Sequence, residues 1–129
     1  MYDITLIPVS SISETEEHDP SKVAILAKSI ERKGVWTLPV VLEEESLAIM
    51  DGHHRFNAAK KLNFQRIPCV LLAYDSGSVS LKSWRPSWKP CISDVLKKIK
   101  RKQKFPYKTT RHLFDPPIQE TSIIISLLS

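Results

Sequence analysis

Ile49-Met50-Asp51-Gly52-His53-His54-Arg55-Phe56-Asn57-Ala58-Ala59 is the stretch on which the reading of this chain turns. Residues 47–50 form a short apolar run that reads as a strand. Residues 56–62 read as a helix, with Ala58 and Leu62 four apart and Asn63 placed to stop it. A strand, a sharp turn and a helix start aim free backbone N–H groups and a positive dipole end at one point, which is how proteins hold phosphate. Gly52 removes the Cβ that blocks close approach, and Arg55 can grip a phosphate with two N–H groups at once. His53 and His54 add donors, or a proton carrier near neutral pH. The same spacing also suits Asp51 as an ordinary helix cap beside two solvated histidines.

The flanking sequence supplies a domain around this turn. Residues 4–9 read as an edge strand, because Pro8 cannot donate to a central ladder. A polar loop leads into a marked helix: Asp19 caps it, Pro20 suits its first position, and Val23, Leu26, Ala27 and Ile30 form one apolar stripe that Gly34 ends. Residues 35–42 read as a strand, Glu43-Glu44-Glu45-Ser46 as a turn, and residues 47–50 as the hairpin partner. A further strand is expected over 67–73. Strands alternating with helices on this scale predict an α/β (α+β) fold, a mixed sheet with helices packed on it in a single domain.

Composition bounds the function classes. The chain has 129 residues, 42% hydrophobic and 26% charged, with a formal net charge of +5. Those are the proportions of a soluble globular domain, and no apolar run approaches a membrane span, so no membrane partner and a cytoplasmic location are expected. Cys69 and Cys91 have no metal-ligand spacing and read as reduced packing residues. The positive balance suits a polyanion, whether nucleotide, phosphoamino acid or nucleic acid. After Tyr74, Ile92, Val95, Leu96 and Ile99 make a second helical stripe. The run from Lys97 to Lys104 places six basic residues in eight, either a solvated helix face or a nucleic-acid contact without interleaved aromatics for stacking. The last apolar stretch, 123–128, can be a final strand or an exposed end that pairs with another copy.

The box from Ile49 to Ala59, followed by Leu62-Asn63 and Ile67-Pro68-Cys69-Val70, resembles the phosphate-binding box of the ParB/sulfiredoxin superfamily. Its Asp-Gly-His-His-Arg version is similar to that of the free L-serine kinases, which use ADP or ATP. His53 stands where a sulfiredoxin needs its reactive cysteine, so the resemblance does not extend to that activity. It implies a ParB/sulfiredoxin-like nucleotide-binding core over 1–74. Residues 75–115 would add the basic helix and a substrate segment, and 116–129 would be a tail.

The resemblance also distributes roles. Phosphoryl transfer to a hydroxyl needs a nucleotide clamp, a carboxylate for the hydroxyl proton and positive groups on the moving phosphoryl. Glu16 matches the base glutamate that precedes the first helix in the serine kinases; Thr15 stands where they carry a histidine, and Glu17 is the fallback. Gly52, His53, His54 and Arg55 would bind the nucleotide, with His54 or His53 steadying the transferred group. Asp51 would orient a histidine or face a phosphate-bridging Mg²⁺ ion. Lys108-Thr109-Thr110-Arg111-His112 resembles a segment that closes over serine and phosphate, which makes Thr110, Arg111 and His112 substrate-binding residues. Trp84 resembles the tryptophan beside the substrate. The expected function is a kinase for free L-serine with ADP or ATP as donor; the alternative is a non-catalytic nucleotide- or nucleic-acid-binding module.

Overall fold

A computed structural model describes residues 2–83 and 110–129. Its main sheet has four strands in the order β1 (Thr5–Pro8), β5 (Arg66–Leu72), β3 (Val40–Glu43) and β4 (Ile49–Asp51). β1 runs antiparallel to β5, β5 parallel to β3, and β3 antiparallel to β4, so the sheet is mixed, as expected. Pro8 lies on an edge strand, where its missing N–H removes no ladder bond. β3 is buried along its whole length, and its alternating side chains feed two cores. Val40 and Leu42 join a cluster with Ile49, Ile67 and Cys69, while Val41 joins Met50, Val70 and Leu72 on the other face.

Helix α1 (Pro20–Lys33) follows its sequence signals closely. The Asp19 carboxylate accepts from the Ser21 backbone N–H, Pro20 opens the helix, and Gly34 closes it at φ 72°. Val23, Ala27 and Ile30 bury the predicted stripe, packing with Phe56, Ala58 and Ala59 of α2 (His53–Lys61) in the first core cluster. α2 begins three residues earlier than its apolar pattern indicated. His53, His54 and Arg55 therefore sit on its first turn rather than in the loop before it.

Two expectations change. Residues 35–42 do not form one strand: β2 (Val35–Trp36) stops short, and β3 resumes after Pro39. The Trp36 indole N–H donates to the Leu38 carbonyl at 2.7 Å, and a proline cannot carry the ladder onward. The C-terminal apolar stretch divides as well. β8 (Ile123–Ile124) pairs with β2 of its own chain, and residues 125–128 form a 3₁₀ turn that buries Leu128 completely. Backbone bonds from Thr121 to Thr37, Ile125 to Gly34 and Gln65 to Leu128 tie this end into the domain. A separate ribbon, β6 (Val79–Ser83) paired with β7 (Thr110–Phe114), completes the elements, and Phe114 packs on the second core. The stripe from Ile92 to Ile99, Trp84 and the Lys97–Lys104 run lie outside the described residues.

Leu128→Ala empties a site in the main core and is expected to cost about 2–4 kcal/mol in urea denaturation. Leu127→Ala, at a side chain 58% exposed, is expected to stay within about 0.5 kcal/mol.

Candidate active site

The site begins at Gly52. Its φ of 110° is a left-handed conformation that a side chain resists, and it turns β4 directly into α2. A Cβ there would stand 2.9 Å from Arg55 Nη2 and 3.0 Å from Val40 Cγ2. Glycine thus serves both the turn and the guanidinium folded across it. No side chain caps α2, and no acidic residue occupies its first turn. Its first N–H groups and positive dipole end therefore remain available to an anion.

Arg55 is poised in the same turn. Its Nη2 lies 3.3 Å from both the Pro39 carbonyl and Asp51 Oδ2, while its Nε is sealed from solvent and meets no acceptor. The Asp51 side chain is 52% exposed, so the ion pair is worth well under about 1 kcal/mol. It leaves the guanidinium able to exchange a carboxylate oxygen for a phosphate oxygen.

The loop before α1 crosses the mouth of this turn. Ser13 and Ala48 bridge in parallel, through Ser13 N–H to Leu47 O and Ile49 N–H to Ser13 O. The Thr15 N–H donates to His53 Nε2 at 3.2 Å, its hydroxyl donates to Ile49 O at 2.8 Å, and the Asp19 N–H donates to His54 Nε2 at 3.1 Å. Asn57 Nδ2 donates to Glu14 Oε1 at 2.6 Å and to His53 O at 2.8 Å. Glu16 is only 8% exposed, whereas Glu17 is exposed, and both line a cavity of about 590 Å³.

The cavity also takes in Asp51, Gly52, His53, His54 and Arg55 from the turn, and Arg111, His112 and Glu120 from the far side. Residues almost 100 positions apart thus face one space. His112 comes from β7, opposite Leu81 in the ribbon, and its Nε2 is 2.8 Å from the Tyr74 hydroxyl. Burial pushes His112 down to about 4, against the pull of the Asp51 charge, and pushes the Tyr74 phenol up. Both are neutral at pH 7. His112 Nδ1 is shielded from solvent and has no partner. Among the described residues no group of three or more His, Cys, Asp or Glu could hold a metal ion. Asp51 by itself is a rim carboxylate rather than a metal cage.

Most of the anticipated site residues converge on this cavity. Thr110 starts β7, while Lys108 and Thr109 fall outside the described residues with Trp84. Sequence reasoning did not single out Tyr74, the partner of His112, or Glu14 and Asn57. Asn57 carried a usable signal, since a buried amide inside a short helix asks for a specific partner.

The family model for the ParB N-terminal domain matches residues 2–81. The chain belongs to the ParB N-terminal domain family. A protein of Staphylothermus marinus described as an ATP-dependent L-serine kinase is 30% identical over 100 residues, covering 74% of this ParB-family chain and 40% of that protein. An ADP-dependent L-serine kinase of Thermococcus kodakarensis is 27% identical over 103 residues, covering 77% and 43%. The chain therefore spans about two fifths of the length of these relatives. A solved structure of a free serine kinase in complex with AMP superposes with a TM-score of 0.88, covering 99% of this chain and 94% of that one at 16% identity, which shows a shared fold.

Two outcomes follow for the site. Gly52→Ala is expected to cost about 1–3 kcal/mol by urea denaturation, because its Cβ would meet Val40 as well as a movable guanidinium. Folded His112 resists protonation until about pH 4, while the unfolded residue takes a proton near 6.5. Between those values the unfolded state binds more protons, so stability falls as pH drops from about 6.5 to 4, by up to about 3 kcal/mol. The His112→Gln variant is expected to lose that part of the pH dependence.

Proposed function

We propose that this domain transfers a phosphoryl group from ADP or ATP to the hydroxyl of free L-serine, giving O-phospho-L-serine. The observation that carries the reading is the single cavity shared by a buried carboxylate, an uncapped helix start and a second cationic segment. Glu16 lies within it as the group to receive the hydroxyl proton. The N–H groups at the start of α2 and the Arg55 guanidinium hold the nucleotide phosphates, with Gly52 allowing their close approach. Arg111 on the opposite wall takes the anionic end of the amino acid, and the neutral His112 offers a hydrogen bond rather than a charge. Thr110 and Trp84 are assigned to the substrate by the family resemblance alone. The likeness to relatives described as L-serine kinases supports it, as does the fold shared with a kinase that binds AMP.

Mg²⁺ fits as an ion that arrives on the nucleotide, because the described residues offer Asp51 at the rim and no resident cage. Such an ion would neutralise phosphate charge. No helix among the described residues is long and apolar enough to cross a membrane. A cytoplasmic setting suits a nucleotide donor and the buried free thiol of Cys69, which burial pushes up to about 12.

Phosphorus NMR of the purified protein with Mg²⁺ and L-serine, run separately with ADP and with ATP, tests the reading and names the donor. A phosphoserine resonance is expected, with AMP or ADP growing alongside. Glu16→Gln is expected to lower turnover by about 10²–10⁴-fold at nearly unchanged nucleotide affinity. Arg55→Ala is expected to weaken nucleotide binding. Full activity in both variants would overturn the assignment.

A further inference from the structure

The two histidines of the box have a second use that their place in a phosphate turn does not explain. We infer that the imidazoles of His53 and His54, together with the Asn57 amide, are positioning residues that hold the Glu16 segment over the start of α2. The inference rests on the kinase reading for what Glu16 does, and on the geometry alone for what holds it.

Three side chains of one helix reach three points of one loop. His53 Nε2 accepts the Thr15 N–H, His54 Nε2 accepts the Asp19 N–H, and Asn57 Nδ2 donates to the Glu14 carboxylate. His53 and Asn57 are four apart and so share a helix face, which is why their partners, Thr15 and Glu14, are adjacent. His54 is turned toward the other end of the loop, at the cap of α1. The Ser13–Ala48 bridge fixes the segment where it leaves the sheet. Residues 16–18 are thus spanned between anchors at 13, 14 and 15 and an anchor at 19. Glu16 is the buried carboxylate within that span.

The chemistry of an accepting nitrogen separates this role from phosphate binding. An Nε2 that takes a backbone N–H presents a lone pair, and the ring carries its proton on Nδ1. That nitrogen is engaged by the loop and cannot donate to a phosphate oxygen, which leaves each ring its Nδ1–H as a donor. The backbone N–H groups at the helix start and Arg55, which are donors only, are the groups best matched to the anion. Asn57 is consistent with this division. An asparagine is a poor helix former, yet this one is 7% exposed in mid-helix with its amide donating both to the loop and to His53 O. The box therefore splits into a phosphate half, Gly52 with Arg55, and a loop-holding half, His53, His54 and Asn57.

The test compares His53→Leu and His54→Leu with His53→Gln and His54→Gln in the full chain, since glutamine can still accept at its amide oxygen. Calorimetric titration with AMP and with ADP reads the phosphate half, phosphoserine formation reads the chemistry, and amide hydrogen exchange at Thr15 and Asp19 reads the loop. The leucine variants are expected to keep nucleotide affinity within about threefold, to lose turnover by about 100-fold, the penalty of a misplaced group, and to exchange the two amides faster. The glutamine variants should recover part of both turnover and protection. A loss of nucleotide affinity in step with turnover would make the rings phosphate ligands and overturn the inference. Failure of the kinase reading is a separate outcome, recognised by absence of phosphoserine in the wild type. The inference then stands or falls on amide exchange, and unchanged exchange in the leucine variants overturns it. Should those variants not fold, long-range proton–nitrogen spectra of the wild type decide: both rings must be Nδ1–H tautomers, and a proton on either Nε2 overturns it.

Discussion

The left-handed turn at Gly52 is the constraint on which the site depends. It lets β4 pass into α2 without an intervening loop, so the first turn of the helix rises directly from the sheet edge. A conventional cap residue would satisfy one of the helix's free N–H groups and place a side chain where the Arg55 guanidinium lies. Its absence leaves a local deficit of hydrogen bonding at the helix start, and Arg55 Nε adds a second unpartnered donor beside it. Such deficits cost stability in the empty domain.

That turn is only half a site, and the loop of residues 13–19 supplies the rest. Little in the loop's own sequence would fix it, since its three glutamates repel one another and the contact between His18 and Glu14 within it spans 3.7 Å. Its conformation comes from α2 and β4: a bridge at Ser13, an amide at Glu14, one ring at Thr15 and another at Asp19. Because three of these partners sit on the first two turns of the helix that Gly52 launches, the loop and the Gly52 turn are held together. The opposite wall is tied in differently, through the Tyr74–His112 pair and the packing of Phe114 on Val41 and Met50.

The residues differed in how much of this they disclosed. Asp19, Pro20 and Gly34 bounded α1 correctly because capping chemistry is local. The strand–turn–helix at Gly52 was legible for the same reason: a glycine between an apolar strand and a helix marks a sharp turn. What stayed hidden was non-local. Pro39 splits a plausible strand because the two pieces pair with different partners, Ile123–Ile124 and β4–β5. The last residues read as a strand or a loose end, since nothing in Ile-Ile-Ile-Ser-Leu-Leu says that Leu128 fits a hole in the core. Tyr74 and Asn57 became meaningful only once His112 and Glu14 were beside them. The family resemblance supplied Glu16, Arg111 and His112, which no local pattern would have joined.

The charges around the cavity bear on what kind of ligand it is built for. Glu16, Glu17, Asp51 and Glu120 line it with two guanidiniums, Arg55 and Arg111, and a helix start. A surface evolved only to trap anions would not keep four carboxylates there, since each repels the ligand at close range in a medium less polar than water. A binding module for nucleic acid would place lysines and arginines along an open groove instead. The mixture suits the proposed reaction, in which one cavity both holds an anion and removes a proton. The positive groups gather at the turn and at Arg111, and Glu16 is the well-buried carboxylate among the four. The Asp51–Arg55 pair fits the same logic, because an exposed carboxylate keeps the guanidinium oriented in the empty site and yields it cheaply to a phosphate.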